Sequence, residues 1–179
     1  MKRTQIICLH EGRPNSVDRS FVNSFLKAYS AKWMRPWTLV PCGDKTRLLE
    51  RFPKELKICG SRGGNTTLIV MADVDDCKDS DALKAKYRKA AQAEGISQDL
   101  FDQVVFAFPK DRIENWVQYI KTGTTDENVE GPRVKNPGAA TAAKKLADIC
   151  KSGSDNSSFP PSLKWSCISW SNMTRRVRD

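Results

Sequence analysis

Acidic side chains directly follow two apolar segments of this 179-residue chain. Glu11 comes immediately after Gln5–His10 (QIICLH), and the run Asp73–Asp76 (DVDD) comes immediately after Thr66–Ala72 (TTLIVMA). Carboxylate oxygens clustered in this way suit a hard cation such as Mg²⁺, which proteins hold with a few carboxylates and water. One or two such ions activate water and neutralise charge in phosphodiester cleavage. The residue types therefore predict a metal-dependent hydrolytic site.

Within the aspartate run, a spacing of two places Asp73 and Asp75 on the same side of an extended chain. Asp76 is either a third metal ligand or a cap for the helix that follows. The alternative without a function is that all of these acids are solvated loop residues. Like charges this close repel one another, however, and a counter-cation relieves the repulsion. We therefore expect Glu11, Asp73, Asp75 and Asp76 to bind the metal, with Glu11, Asp73 and Asp75 also catalytic.

Glu114 is a further catalytic candidate, because it follows the fourth predicted strand and would approach the same edge of the sheet. A structural alternative is open for it. Asp111–Glu114 (DRIE) resembles a capping box, with Asp111 as N-cap and Glu114 as the third helical residue. Basic side chains near these acids are candidates for contacts to nucleic-acid phosphates: Arg13, Arg62, Lys110 and Lys164.

Other common sites have little support in this sequence. The chain contains one histidine, His10, and we expect it to be structural because strand alternation sends it to the face opposite Glu11. A Ser-His-Asp triad or a Cys-His zinc site is therefore disfavoured, and no phosphate-binding glycine motif occurs. Trp116 is expected in the core. Trp165 and Trp170 could stack on nucleic-acid bases, although this signal is weak.

The elements that must position these residues alternate regularly. Apolar runs predict four strands, and residues at helical spacing predict a helix after each. This order predicts an α/β fold, a Rossmann-like and mostly parallel sheet flanked by helices, whose ligands bind at the carboxyl ends of the strands. The predicted strands are Gln5–His10, Trp37–Cys42, Thr66–Ala72 and Gln103–Phe108; the helices are Val17–Tyr29, a short one after Asp44 that Pro53 disturbs, Asp79–Glu94 and Asp111–Lys121.

The remainder of the chain reads as a basic extension. A polar loop at Gly123–Pro137, an alanine-rich helix at Ala139–Cys150, a last strand at Lys164–Trp170 and a basic tail follow in order. We assign residues 1–122 to a catalytic domain, and residues 123–179 to an extension packed on the same domain.

Charge and composition narrow the class of protein. The net charge is +9, with an acidic middle (net −4 over residues 61–130) between basic ends (+7 and +6). A basic surface attracts phosphate backbones. No apolar run approaches the roughly 18–20 residues that span a bilayer, so we expect no membrane association. The six cysteines form no CxxC pair, and the N-terminus does not resemble a secretory signal. These features favour the cytoplasm.

The glutamate after the first strand and the Asp-x-Asp after the third resemble the topoisomerase–primase (Toprim) fold over residues 5–121. The match is closest to the small RloB-like and OLD-like nucleases of bacterial phage-defence systems, since Ile113–Trp116 (IENW) also looks like their acidic-aromatic element after the fourth strand. The resemblance implies Mg²⁺- or Mn²⁺-dependent cleavage of DNA or RNA, including tRNA. It also implies an ABC-type ATPase partner that controls a toxic nuclease.

Several points are left open by the sequence. The chain carries no ATPase domain, so that partner would be a separate protein, and it has no evident zinc-binding or tyrosine-nucleophile domain of topoisomerases and primases. The main alternative function is a non-catalytic binding or regulatory subunit of the same fold. A receiver-like phosphorylation domain is a weaker alternative, because receivers place their paired acids after the first strand. Oligomeric state is undetermined, and a homo-oligomer is one arrangement that fits.

Overall fold

The computed structural model describes residues 4–29, 37–63, 65–152 and 157–178, with side chains as far as Ser171. These residues form four strands and seven helices in an alternating order. The elements are β1 (Gln5–His10), α1 (Val17–Tyr29), β2 (Trp37–Pro41), α2 (Lys45–Ser61), β3 (Thr66–Met71), α3 (Ser80–Ala93), α4 (Gln98–Phe101), β4 (Val105–Ala107), α5 (Ile113–Thr122), α6 (Asn136–Ser152) and α7 (Pro161–Arg178).

All neighbouring strands are parallel, and their order is β2-β1-β3-β4. Cys8 of β1 pairs with Leu39 of β2 and with Ile69 of β3. β1 and β3 are therefore the central strands, which explains their nearly unbroken apolar sequences. The predicted α/β fold, a Rossmann-like parallel sheet flanked by helices, is confirmed.

Alternate residues of the sheet belong to two hydrophobic clusters, one on each face. One face packs against α1, α5, α6 and α7, and its cluster includes Ile6, Cys8 and Trp116. The other packs against α2, α3 and α4, and includes Ile7 and Leu9. Residues of the segment 123–179, such as Leu146 of α6, lie in the first cluster together with residues of α1. Among the described residues, no helix combines the length and apolarity needed to cross a bilayer.

Proline 53 does not disturb α2, contrary to the sequence prediction. The helix runs without a break from Lys45 to Ser61 and contains Pro53. A proline inside a helix costs about 3 kcal/mol. The buried side chains on one face of α2, which are Leu48, Phe52, Leu56 and Cys59, outweigh that cost because each contributes roughly 1.5–3 kcal/mol when fully buried.

The predicted last strand is also wrong, because Lys164–Trp170 lies inside the helix α7. α7 runs along β4, which is an edge strand. Its serine hydroxyls accept hydrogen bonds from alternate backbone N–H groups of β4 and the residues after it: Ser169 Oγ from Phe106 (3.0 Å), Ser166 Oγ from Phe108 (3.0 Å) and Ser162 Oγ from Lys110 (3.1 Å). The hydroxyls take the place that a neighbouring strand would fill.

Candidate functional site

The first candidate side chain, Glu11, lies where β1 leaves the sheet. Its backbone N–H donates to Met71 of β3 (3.3 Å), and the chain turns at Gly12, whose φ is +85°. A Cβ atom at position 12 would lie 2.7 Å from Ser16 Oγ, so glycine is required there. The turn leaves the Glu11 side chain at the carboxyl end of the sheet.

The aspartate run is held extended by the continuation of the sheet beyond β3. Ala72 N–H donates to Ala107 (3.2 Å), and Val74 N–H donates to Pro109 (2.7 Å). Asp73 lies between these two bonds, and its own N–H donates to Glu11 Oε1 (3.0 Å). The structure therefore brings Glu11 and Asp73 together directly at the end of the two central strands.

Buried negative charge is concentrated around Asp73. Burial raises the pKa of Asp73 well above its usual value, and the charges of Asp18, Glu11, Asp75 and Glu114 raise it further. Burial likewise raises the pKa of Glu11 to about 7, against the hydrogen bond from Asp73 N–H that lowers it. The pKa of Asp18 rises to about 6 because that carboxyl is buried. These acids lie close enough to repel one another, which is the condition that a bound cation relieves.

Lys45 neutralises the outer part of this cluster. Its Nζ lies 2.9 Å from Asp75 Oδ2 and 2.6 Å from Asp76 Oδ2. These two hydrogen bonds raise the pKa of Lys45 and lower that of Asp76. Asp75 and Asp76 thus have an ammonium counter-ion, whereas Glu11 and Asp73 form no ion pair among the described contacts.

An open cavity of 230 Å³ adjoins these acids. Glu11, Asp73 and Asp76 line it together with Lys45 of α2 and Lys86 of α3. Leu83 and Tyr87 supply an apolar wall. The candidate acids are therefore accessible to a small polar ligand from the side of α2 and α3.

The remaining predicted residues differ in where they lie. Glu114 belongs to the cluster, since its charge raises the pKa of both Asp18 and Asp73. Arg13 is exposed in the loop after Glu11. Lys110 lies beside the aspartates, because Val74 and Lys110 form an isolated parallel bridge. Lys164 is exposed in the first turn of α7.

Arg62 lies at the opposite end of the sheet. Its Nη1 donates to the side chain of Gln5 (2.9 Å), at the start of β1. The structure therefore does not bring Arg62 to the carboxylates. Arg62 precedes β3 in the chain, so in a parallel sheet it lies at the amino ends of the strands, away from the carboxylates.

The capping-box interpretation of Asp111–Glu114 is wrong. The N-cap of α5 is Arg112, which makes no side-chain cap hydrogen bond. Asp111 precedes it with a φ of 64°. Glu114 is therefore left without the capping role that the alternative gave it.

His10 and Trp116 are both buried in the structure, as their expected structural roles require. His10 is fully buried, and its Nδ1 donates to the backbone carbonyl of Glu11 (2.6 Å). Burial lowers the pKa of this imidazole, which keeps it neutral. Trp116 is buried, and its indole N–H donates to Ser162. Trp170 is buried against Phe25 and Tyr29, so it is not available for stacking on a base.

Two residues of the cluster were missed by sequence reasoning. Asp18 lies in the first turn of α1, whose apolar residues alone were used to predict the helix. An acid in the first turn of a helix that follows the loop after Glu11 is a signal that could have placed Asp18 near the site. Lys45 carried a stronger signal. Lys45 lies in the first turn of α2, where a positive charge is unfavourable because of the helix dipole. Since that turn contains no acid, a carboxylate from another part of the chain is the expected partner of Lys45.

The types of side chain in the cluster suit a hard divalent cation, but their positions do not form a complete coordination shell. All of the clustered donors are carboxylate oxygens, as Mg²⁺ and Mn²⁺ prefer. Among the residues that the structure describes, no three His, Cys, Asp or Glu side chains converge closely enough to hold a metal ion. Lys45 already holds two of the carboxylates, so a metal would have to compete with it.

No protein-family model matches the chain, and no curated protein matches it at a significant level.

Proposed function

We propose that this protein is a metal-dependent endonuclease that hydrolyses phosphodiester bonds of nucleic acid. The observation that carries the proposal is the cluster of Glu11, Asp18, Asp73, Asp75 and Glu114 at one end of the sheet. Burial, and then repulsion from the other four acids, raises the pKa of Asp73. Carboxylates gathered at the ends of parallel strands are a typical ligand position in this class of fold. Lys45 pairs with Asp75, but Glu11, Asp18, Asp73 and Glu114 form no ion pair among the described contacts, and a cluster of perturbed carboxyls beside a cavity is typical of functional sites.

Glu11, Asp73 and Asp75 are the residues that would hold the ion, with Asp76 at the outer side. When bound, Mg²⁺ or Mn²⁺ would activate water and neutralise charge on the phosphate. The chain itself supplies the rest. Before an ion binds, burial raises the pKa of Glu11 to about 7, so this carboxyl holds a proton near neutral pH and releases it when the ion binds. Lys110 lies next to Asp73 and Asp75 across the sheet and can contact a phosphate.

The biological setting is part of the same proposal and is supported by the Toprim resemblance. A nuclease of this small type would be the toxic effector of a phage-defence system. An ABC-type ATPase would hold or activate it as a separate protein. Affinity purification of the tagged protein from its own cells, with and without phage infection, tests this expectation. Recovery of a stoichiometric ATPase supports it, and its absence in both states argues against it.

The first prediction concerns Asp73 and Glu11. Asp73→Asn and Glu11→Gln preserve shape and remove charge, so both should lower cleavage by more than about 100-fold, since metal assistance supplies several kcal/mol and 1.36 kcal/mol is tenfold. The measurement is cleavage of plasmid DNA, single-stranded DNA and total tRNA with Mg²⁺, Mn²⁺ or EDTA.

Asp99→Asn is the matched control, because Asp99 is exposed on α4 away from the cluster. It should cut like the wild type, and circular dichroism should show all variants folded. Metal-dependent cleavage that survives Asp73→Asn would contradict the proposal. An absence of cleavage by every protein, with the partner added, would favour a non-catalytic subunit instead.

A further inference from the structure

A second and larger cavity opens beside the carboxylates, on the side of β4. Its volume is 520 Å³, within the range of about 300–1,000 Å³ that is usual for small-molecule sites. It is bounded by the start of α3, the loop between α5 and α6, and the start of α7. Lys110 lines it and pairs with Val74, so the cavity adjoins the segment of chain that carries the aspartates.

An aromatic ring is held in place in this cavity. Trp165 stacks on Phe108, with ring centroids 5.4 Å apart and an interplanar angle of 13°. Its indole N–H donates to Asp81 Oδ1 (2.9 Å). These two contacts fix the ring before any ligand arrives. Trp165 remains partly exposed and lines the cavity together with Pro160 and Pro161, which makes a flat apolar surface at the bottom of a polar rim.

The rim is rich in hydrogen-bond acceptors. Asp79, Asp126 and Glu127 each accept a bond from a backbone N–H of the protein. Glu127 uses both of its carboxylate oxygens on Ser162. Oδ2 of Asp79 and Oδ2 of Asp126 have no hydrogen bond among the described contacts, so each can accept one from a donor on a ligand. Exocyclic amino groups of adenine, cytosine and guanine are such donors, whereas uracil and thymine lack an amino group and offer only the ring N3–H between two carbonyl oxygens. Lys78 and Lys110 add two cations to the lining, which suits a phosphate attached to the base.

We propose that this cavity receives an unpaired, amino-bearing nucleobase of a single-stranded substrate, stacked on Trp165 beside the phosphodiester bond to be cut. The inference rests on the proposed nuclease function and gives its substrate class. A base within a duplex is stacked on both faces and paired, so it cannot enter without being extruded. Stacking on an aromatic side chain is the usual means of holding unpaired bases.

Binding of short fluorescent oligonucleotides in EDTA tests the proposal without cleavage. The probes are DNA and RNA forms of poly-A, poly-C and poly-T or poly-U, together with the A·T duplex. The wild type should bind single-stranded A and C at least about tenfold more tightly than the duplex. Trp165→Leu should weaken that binding by about tenfold or more, and Trp165→Phe should retain most of it.

Trp37→Leu is the control, because Trp37 is a partly exposed tryptophan on β2, at the other edge of the sheet. It should change the affinity by less than twofold. If Trp165→Leu does not fold, calorimetry of the wild type with AMP, CMP and UMP takes its place, and UMP should bind most weakly.

Equal affinity for duplex and single strand, or no effect of Trp165→Leu, overturns this inference while metal-dependent cleavage still supports the nuclease. If no nucleic acid is bound or cut, both proposals fail. Tighter binding of the RNA or of the DNA probes identifies the source of the base.

Discussion

Glu11 is the residue at which the electrostatics of the carboxylate cluster have a measurable effect on stability. Its pKa rises from 4.5 to about 7, chiefly because of burial. The folded protein therefore holds a proton on Glu11 in a pH range where the unfolded chain has lost it. The contribution of Glu11 to the free energy of unfolding is therefore greatest below pH 4.5, and it is lost as the pH rises through about 7.

The second prediction follows from that sign. Glu11→Gln removes the titration and keeps the oxygen that accepts from Asp73 N–H. The difference in free energy of unfolding between the variant and the wild type should shift in favour of the variant by on the order of 1 kcal/mol when the pH is raised from 5 to 8. Urea unfolding of both proteins at the two pH values, in EDTA, measures the change. Glu50→Gln, at an exposed position of α2, should show no such gain. A difference between Glu11→Gln and wild type that is independent of pH would contradict the argument.

The third prediction concerns Lys45, whose ammonium holds Asp75 and Asp76. A tethered cation and a free Mg²⁺ ion compete for the same oxygens. Lys45→Met should therefore tighten Mg²⁺ binding by a few-fold, because exposed ion pairs of this kind are weak. Isothermal titration calorimetry without substrate measures it.

Lys86→Met serves as the control, because Lys86 lines the same cavity but forms none of the described ion pairs with these aspartates. Equal tightening by both variants would mean that only the general loss of positive charge matters. No tightening by Lys45→Met would show that the aspartates and the ion do not share oxygens.

At the scale of single elements, the turn between β4 and α5 is strained. Arg112 N–H donates to Lys110 O (2.8 Å) across Asp111, whose φ is 64°. A three-residue turn with a positive central φ is rare and unfavourable for a residue with a Cβ. One carboxylate oxygen of Asp111 is also buried without a hydrogen-bond partner. Strain of this kind is commonly found at functional sites.

The fourth prediction separates these two effects. Asp111→Ala removes the carboxylate and keeps the strained backbone, whereas Asp111→Gly removes both. Asp111→Gly should therefore be more stable than Asp111→Ala by about 1 kcal/mol. Chemical denaturation of the two variants measures the difference. Equal stabilities would mean that the turn stores no strain at this position.

α7 illustrates what the sequence could and could not predict. The strands and helices around the site followed from apolar runs, spacing and caps such as Asp44 and Asp79. Lys164–Trp170 (KWSCISW) is rich in residues that favour strands, but the serines of α7 at 162, 166 and 169 contact β4 and the residues after it at helical spacing. Local pattern was overridden by a tertiary role that depends on the distant edge of the sheet. The positions of Asp18 and Lys45 likewise depend on contacts between elements far apart in sequence.

The fifth prediction tests that role. Ser166 Oγ accepts from the buried backbone N–H of Phe108, and Ser166→Ala leaves this group without a partner. The free energy of unfolding should fall by about 1–3 kcal/mol. Thr141→Ala is the control, because Thr141 makes a similar hydroxyl bond to Pro137 O on the exposed face of α6. It should change stability by less than about 0.5 kcal/mol. A result for Ser166→Ala no larger than the control would remove α7 as the partner of the β4 edge.

At the scale of the whole molecule, one face of the sheet carries the larger hydrophobic cluster and the other face borders the smaller cavity. The face covered by α1, α5, α6 and α7 joins elements from both ends of the described chain in one cluster. The other face holds α2 and α3, which border the smaller cavity. Glu11, Asp73 and Asp76 line the smaller cavity, whereas the larger cavity lies beyond Lys110 on the side of β4. A ligand could thus reach the carboxylates from the side of α2 and α3 without disturbing the core on the other face of the sheet.

The serine contacts between α7 and β4 also bear on how the chain is made. All four strands leave the ribosome before α7 does, because α7 follows them in the sequence. Some 50 residues separate Ala107 from Pro161, which takes several seconds at about 5–20 residues per second. During that interval the backbone of β4 is an open template for another chain. Chaperone binding to nascent chains of this protein should therefore peak after β4 emerges and decline once α7 has docked.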